Sequence, residues 1–128
     1  MAVALDMPVL VVDDYKTMTR ILQNLLKSLG FSNLHEAASG EEALKLVRQT
    51  QFGLVVSDWY MEPMSGMDLL TAIRADEGLK STPFIMVTAE SKTENVVWAK
   101  RAGVDNYIVK PFNAQTLRQK IAAVLGEF

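Results

Sequence analysis

The chain has 128 residues, of which 49% are hydrophobic and 22% charged, with a formal net charge of −2 and no cysteine. This composition is typical of one globular domain over residues 1–128. It excludes disulfides and thiolate metal sites, and the lack of a basic excess argues against nucleic-acid binding. No apolar run reaches the roughly 18 residues of a membrane span. No basic segment precedes the short apolar run at the N-terminus, so we expect a cytoplasmic protein without membrane insertion.

Five short apolar runs are predicted to form strands, at residues 9–12, 34–37, 54–57, 84–88 and 107–109. They show little alternation between polar and apolar side chains, which is typical of a parallel sheet covered on both faces. Amphipathic stretches separate the runs. Because five β units thus alternate with five α units, the sequence predicts a doubly wound α/β fold with a parallel sheet.

Local signals mark where the first three helices begin and end. Ser39 with Glu42, and Ser65 with Asp68, have the spacing of capping boxes at the starts of the second and third helices. Gly30 should end the first helix. The apolar face of that helix is predicted from its spacing to comprise Met18, Ile21, Leu22, Leu25, Leu26 and Leu29.

The fourth predicted helix covers residues 93–102 and ends at Gly103. On this helix we expect Val97 to be buried and Trp98 to be partly packed. The fifth helix begins after Asn113. Its apolar positions, which we expect to be buried, are Leu117, Ile121, Val124 and Leu125.

Polar side chains follow four of the five predicted strands. Asp13 and Asp14 come directly after the first strand, and Asp58 follows the third. Thr88 ends the fourth strand and Lys110 follows the fifth. In doubly wound sheets the functional site lies beyond the carboxyl ends of the strands. We therefore expect these five residues to converge at one edge of the sheet.

This set of side chains indicates a chemistry. Adjacent carboxylates at the end of an apolar strand repel each other and are costly to bury, unless a hard cation lies among them. Oxygen ligands without His or Cys favour Mg²⁺, for which Mn²⁺ could substitute. With the charge of Lys110, such a site could stabilise a phosphoryl group. Asp58 could then act as a nucleophile that forms an acyl phosphate, with Thr88 donating a hydrogen bond to it.

Four sequence stretches, VLVVDDY, VVSDWYM, MVTAE and YIVKPF, resemble the signatures of the response-regulator receiver domain. The resemblance covers essentially the whole chain and is strongest to chemotaxis members of the family, through DDYKTMTRILQNLLKSLGF, SDW and VKPFNAQTL. It implies a flavodoxin-like fold in which five helices accompany five strands in the order 2-1-3-4-5.

The resemblance also implies a role for each residue of the predicted site. Asp58 matches the phosphoacceptor, and Lys110 matches the lysine that the family places beside it. Asp13, Asp14 and the main-chain carbonyl of Tyr60 match the Mg²⁺ ligands, together with Asp58. Asp14 is preferred over Asp13 as a direct ligand.

A second group of residues matches the switch and the output surface. Thr88 matches the switch hydroxyl, Tyr107 the aromatic switch, and Lys110–Pro111 a peptide bond that is usually cis. Phosphorylation should draw Thr88 inward, and Tyr107 should follow. This reshapes the face of helix 4, strand 5 and helix 5, on which we expect an acidic or amphipathic partner to contact Lys92, Val96, Lys100, Tyr107 and Lys120.

By this resemblance the chain is a stand-alone response regulator that accepts a phosphoryl group from a sensor histidine kinase. It should catalyse only its own phosphorylation and dephosphorylation, so it is not an enzyme with a separate substrate. A flagellar-motor switch protein is the leading partner, and a phosphate sink or a phosphorelay intermediate would need the same site. We expect a monomer, with phosphorylation-linked dimerisation left open.

Two departures from the family pattern lie near Asp58. Glu62 stands where the family usually has a proline, and Pro63 follows one place later, so the loop could take a different path. Tyr60 stands where a smaller polar residue is common. Its ring, with Glu90, could restrict the water that hydrolyses the phosphoryl group, and we predict a longer phosphoryl lifetime.

Two other functions are possible for a sheet of this kind. A phosphohydrolase with an aspartate nucleophile should have a second acid two places after it, and that place holds Tyr60. A flavin-binding module should have a hydroxyl- and glycine-rich loop after the first strand, whereas DDYKTM is negatively charged. Both are disfavoured. The other polar or aromatic candidates are expected to be structural, with Trp59 packed at the pocket edge and His35 on the surface.

Overall fold

A computed structural model describes residues 3–128 of the chain. These residues form one parallel sheet in the order β2-β1-β3-β4-β5, with five helices, which confirms the predicted doubly wound fold. The strands are β1 (Val9–Val12), β2 (Leu34–Ala37), β3 (Leu54–Ser57), β4 (Phe84–Thr88) and β5 (Asn106–Val109). The helices are α1 (Lys16–Ser28), α2 (Gly40–Gln49), α3 (Gly66–Ala75), α4 (Thr93–Arg101) and α5 (Ala114–Leu125).

The sheet is covered on both faces, as its apolar strands require. Successive side chains of a strand point to opposite faces. Leu10 and Val12 of β1 therefore belong to one core cluster, shared with buried residues of α2, α3 and α4. Val9 and Val11 belong to a second cluster, shared with α1 and α5. The central strands β1, β3 and β4 are buried along their whole length, which holds their carboxyl ends in fixed positions beside one another.

Strand β2 lies at one edge of the sheet and is only partly covered. His35 and Glu36 are exposed there, whereas Ala37 is buried. The predicted surface position of the single histidine is therefore confirmed. The His35 ring packs edge-on against Phe52, with centroids 5.4 Å apart. Within residues 3–128, no helix is long and apolar enough to cross a membrane.

The predicted helix boundaries are mostly confirmed. Ser65 and Asp68 form a complete capping box, since the amide of each donates to the side chain of the other. At α2, the hydroxyl of Ser39 accepts from the amide of Glu42 at 3.1 Å, which is one of the two bonds of a box. Gly30 follows α1 with a φ of 109°, a left-handed conformation that suits glycine and ends the helix.

Several side chains predicted on the apolar faces of helices are more exposed than expected. Ile21 of α1 is 43% exposed and Val97 of α4 is 40% exposed. On α4 the fully buried side chain is that of Ala99, and Val97, two residues earlier, is turned outward. Val124 and Leu125 are half-buried because they pack at the margin of the α1–α5 cluster rather than inside it.

Candidate functional site

The carboxyl edge of the sheet brings together residues from three strand ends. Nζ of Lys110 lies 3.4 Å from Oδ2 of Asp13 and 3.3 Å from Oδ2 of Asp58. Asp13 is 2% exposed. The amide of Asp58 donates to the carbonyl of Val12 at 3.0 Å, which fixes the end of β3 against the end of β1. The predicted convergence of Asp13, Asp58 and Lys110 is therefore observed.

Asp13 is a buried carboxylate whose charge is incompletely compensated. Burial raises the pKa of Asp13, and the negative charge of Asp58 raises it further. Two interactions act in the opposite direction: the amide of Tyr15 donates to Oδ1 of Asp13 at 2.9 Å, and Lys110 is nearby. Since desolvation remains the largest effect, a further positive charge beside Asp13 would be favourable.

Asp14 is the exposed member of the acidic pair. It lines a small cavity of about 110 Å³ together with Asp13, and it borders a second, open pocket with Trp59 and Tyr60. Within residues 3–128, no group of three His, Cys, Asp or Glu side chains is arranged to hold a metal by itself. A set of carboxylates and the main-chain carbonyl of Tyr60 contains only oxygen donors, which suits Mg²⁺. The donor chemistry and the undercompensated Asp13 therefore fit a hard cation, and the ligand set stays a prediction.

The loop after β3 packs tightly around Asp58. Oδ1 of Asp58 accepts from the amide of Trp59 at 2.7 Å, while Oδ2 faces Lys110. The amide of Gly66 donates to the carbonyl of Trp59 at 2.8 Å. A Cβ atom on Gly66 would lie 2.0 Å from the carbonyl oxygen of Asp58, so only glycine allows this approach. Sequence reasoning missed Gly66, although a glycine directly after the capping Ser65 was a possible signal.

Of the predicted switch residues, Thr88 ends β4 and Tyr107 lies within β5. Thr88 is fully buried, and its hydroxyl accepts a long hydrogen bond, of 3.4 Å, from the amide of Glu90. Tyr107 is 6% exposed, and its hydroxyl donates to the carbonyl of Glu90 at 2.8 Å. Burial, with a contribution from Glu90, raises the pKa of Tyr107 to about 12. The Tyr107 ring is thus turned inward and adds little to the predicted partner surface in this structure.

Trp59 is the centre of an aromatic cluster. Its ring lies 5.5 Å from that of Trp98 and 6.4 Å from those of Tyr60 and Tyr107, measured between centroids. Trp59 is 8% exposed, which confirms its predicted packing role, whereas Trp98 is 55% exposed. The cluster joins the loop after Asp58 to the outer face of α4.

Glu90 is held by side chains from two other segments. The hydroxyl of Tyr60 donates to Oε2 of Glu90 at 2.7 Å, and the side-chain amide of Asn95 donates to Oε1. The hydrogen bond to Glu90 raises the pKa of Tyr60, and the bonds from Tyr60 and Asn95 lower the pKa of Glu90. Tyr60 and Glu90 were predicted to act together near Asp58. Asn95 was not singled out, although its place in the first turn of the next helix was a signal.

The other predicted partner residues lie on α4, just before it, and on α5. Lys92 and Lys100 are exposed, and Val96 and Lys120 are half-buried. The backbone carbonyl of Lys120 accepts from the side chain of Asn106 at 3.1 Å, which ties α5 to β5. The Lys110–Pro111 bond is cis, as the resemblance implied, and the Glu62–Pro63 bond in the departing loop is also cis.

An aspartate beside a lysine and a second, buried carboxylate, at the carboxyl edge of a doubly wound five-stranded sheet, is the arrangement of signal receiver domains. Residues 9–122 match the response regulator receiver domain, and the chain belongs to this family. Receiver domains of this type are two-component signalling proteins rather than classical enzymes.

Similar proteins agree with this assignment. The chain is 50% identical over 118 residues to chemotaxis protein CheY of Pseudomonas aeruginosa, covering 92% of this chain and 95% of that protein. It is 52% identical over 116 residues to CheY-3 of Vibrio cholerae, covering 91% and 89%. The crystal structure of V. cholerae CheY4 superposes with a TM-score of 0.86 at 32% identity, covering 94% and 99%. The crystal structure of a putative response regulator from Chloroflexus aurantiacus superposes with a TM-score of 0.88 at 28% identity, covering 95% of this chain and 99% of that one. The fold is therefore CheY-like.

Proposed function

We propose that the chain is a stand-alone chemotaxis response regulator that accepts a phosphoryl group on Asp58 from a sensor histidine kinase. The observation that carries this proposal is the position of Lys110, whose ammonium lies within 3.4 Å of both Asp13 and Asp58. The coverage of 95% of the P. aeruginosa CheY supports a single receiver domain over residues 1–128. We further propose a cytoplasmic location and a monomeric state.

The geometry suits an in-line transfer to the Asp58 carboxylate. A carboxylate oxygen of Asp58 attacks the phosphorus of a phosphohistidine, the P–N bond breaks, and a P–O bond to Asp58 forms. The amide of Trp59 orients the carboxylate through Oδ1, and the Lys110 ammonium stabilises negative charge on the phosphoryl oxygens. Bound to Asp13, Asp14, Asp58 and the carbonyl of Tyr60, Mg²⁺ or Mn²⁺ would supply further Lewis-acid stabilisation of that charge.

The switch then depends on Thr88 and Tyr107. Thr88 can donate a hydrogen bond from its hydroxyl to a phosphoryl oxygen, and its movement would stabilise the inward position that the Tyr107 ring already has in this structure. The two states differ at the α4–β5–α5 face, and a partner that binds only one of them responds to phosphorylation. The exposed Lys92 and Lys100 favour an acidic or amphipathic partner, with a flagellar-motor switch protein as the leading candidate.

Tyr60 and Glu90 set the lifetime of the phosphoryl group in this proposal. Their hydrogen bond joins the loops that follow β3 and β4. Asp58 is the first residue of one of these loops, and Thr88 directly precedes the other. A phosphoryl group on Asp58 would lie beneath this bond, where the phenol restricts the approach of water. We expect slow hydrolysis, and replacement of Tyr60 by asparagine, Tyr60→Asn, should increase its rate.

Phosphorylation is tested by mass spectrometry with acetyl phosphate as the donor. Wild type should gain the mass of one phosphoryl group when Mg²⁺ is present and lose this gain with EDTA, and Asp58→Asn should gain none. Asp6→Asn is the matched control, because Asp6 is exposed and precedes the amino end of β1, whereas Asp13 follows its carboxyl end. An adduct of equal yield in Asp58→Asn, or none in wild type with Mg²⁺, would contradict the proposal.

The downstream role is tested with the phosphorylated protein. Binding to a flagellar-motor switch protein should require the adduct and should weaken on charge removal in Lys92→Ala and Lys100→Ala. Transfer of the phosphoryl group onward to a phosphotransfer histidine would instead show a relay intermediate. Rapid loss of the group without binding to any motor component would show a phosphate sink.

A further inference from the structure

A hydrogen bond joins the two loops that follow the candidate phosphoacceptor Asp58 and the switch residue Thr88. Tyr60 lies in the loop after β3 and Glu90 in the loop after β4, and the phenol of Tyr60 donates to Oε2 of Glu90 at 2.7 Å. These two loops begin beside Asp58 and Thr88, the acceptor and the hydroxyl that should bind its phosphoryl group. We call the Tyr60–Glu90 contact the loop bridge. Both side chains are near solvent, so the loop bridge keeps one geometry only if further contacts restrain it.

That help comes from the first turn of α4. The side-chain amide of Asn95 donates to Oε1 of Glu90, which leaves Oε2 to accept from Tyr60. The main-chain amide of Asn95 donates to the carbonyl of Lys92 at 3.0 Å, within the first turn of α4. The main chain of Glu90 is held as well, since its carbonyl accepts from Tyr107 at 2.8 Å. Glu90 is therefore fixed from both ends, and the restraint on its carboxylate originates in α4.

We propose that Asn95 is a positioning residue that holds the loop bridge in place and thereby couples helix α4 to the lifetime of the phosphoryl group on Asp58. The inference rests on the proposed phosphorylation of Asp58. Hydrolysis requires a water molecule in line with the P–O bond to Asp58. The water attacks the phosphorus, that bond breaks, and inorganic phosphate leaves while the Asp58 carboxylate is regained. A fixed phenol hinders this approach, and a mobile one does not.

This coupling gives the helix a second connection to the site. Thr88 and Tyr107 couple phosphorylation of Asp58 to the α4–β5–α5 face. Asn95 acts in the reverse direction, because the position of α4 changes the rate at which the phosphoryl group is hydrolysed. A partner that displaces the first turn of α4 withdraws Asn95 from Glu90 and shortens the phosphoryl lifetime. A partner that stabilises this turn lengthens it.

The test is a double-mutant cycle on the rate of dephosphorylation. Wild type, Asn95→Ala, Tyr60→Phe and the double variant are phosphorylated with acetyl phosphate and Mg²⁺, freed of donor by desalting, and followed by intact mass. Removal of one hydrogen bond should shorten the half-life by about 2- to 10-fold in Asn95→Ala. The double variant should decay no faster than Tyr60→Phe, because Asn95 acts through the loop bridge. Alanine is a better helix former than asparagine, so Asn95→Ala should fold.

Asn24→Ala is the matched control, since Asn24 is an exposed asparagine on α1 and should leave the half-life unchanged. An unchanged half-life in Asn95→Ala, or additive effects in the double variant, would overturn the inference while leaving the phosphorylation of Asp58 intact. Absence of any adduct in wild type would overturn both the inference and the proposed function, so the two failures are distinguishable.

Discussion

Oδ2 of Asp13 lies 3.4 Å from Nζ of Lys110, at the end of a strand that is completely buried. This ion pair does not compensate the cost of burying Asp13, because desolvation still raises the pKa of its carboxyl group. Lys110 divides its charge between Asp13 and Asp58, which it approaches to 3.3 Å. Asp13 and Asp58 together therefore carry one more negative charge than Lys110 neutralises, which costs stability unless a cation is bound.

Asp13→Asn should stabilise the protein in the absence of divalent metal. The substitution removes a desolvated charge and leaves Lys110 paired with Asp58, so we expect a gain on the order of 1 kcal/mol in the free energy of unfolding. Urea unfolding in EDTA measures this change, with Asp6→Asn as the exposed control. Added Mg²⁺ should stabilise wild type more than Asp13→Asn, which keeps Asp14 and Asp58 but has one carboxylate fewer. A loss of stability in EDTA would show that the pairing with Lys110 outweighs the cost of burial.

Gly66→Ala should disturb the loop that carries Trp59 and Tyr60. The new Cβ would lie 2.0 Å from the carbonyl oxygen of Asp58, and this neighbour is backbone that cannot move freely. We expect a loss of about 1–3 kcal/mol in the free energy of unfolding, together with slower phosphorylation. Gly78→Ala is the matched control, because its Cβ would meet nothing closer than 3.5 Å. Equal effects of both substitutions would contradict the steric explanation.

Much of the site could be predicted from the sequence, because a parallel sheet places the ends of its strands at one edge. Asp13, Asp58 and Lys110 each directly follow an apolar run, so the parallel register places them at the same edge of the sheet. Asp13 and Asp58 follow neighbouring strands, and the long side chain of Lys110 reaches both from β5, two strands beyond β3. The doubly wound fold follows from the same alternation of runs. These features depend on local pattern and on the topology that the pattern allows.

Features that depend on the path of a loop or on the orientation of a helix were harder to predict. Val97 is exposed while Ala99, two residues later, is buried, so the buried position of α4 is a small residue that the apolar spacing does not single out. The contact of Asn95 with Glu90 joins residues on either side of a helix start, where a small change in backbone path would separate them. The tight approach of Gly66 to Asp58 likewise depends on the path of the loop between β3 and α3.

Tyr107→Phe should change how stability responds to alkaline pH. The pKa of Tyr107 is raised from 10.0 to about 12, so its ionisation opposes folding. The stability that the neutral Tyr107 hydroxyl contributes is fully present below pH 10 and is lost as the pH rises through about 12. Near pH 7 the variant should lose about 1 kcal/mol with the hydrogen bond to Glu90, and this difference should shrink or reverse in alkali. Urea unfolding of both proteins over that range measures the effect. A constant difference at all pH values would contradict it.

Trp98→Phe should isolate the fluorescence of Trp59, whose ring lies 5.5 Å from that of Trp98. Trp98 is 55% exposed and Trp59 is 8% exposed, so removing Trp98 should shift the emission to shorter wavelength. The amide of Trp59 donates to Asp58, so binding of Mg²⁺ should alter its emission, and without Trp98 the fractional change should exceed that of wild type. Trp59→Phe is the reciprocal control and should lose most of the response. If Trp98→Phe abolished the response while Trp59→Phe preserved it, α4 rather than the loop after Asp58 would be the segment that senses the metal.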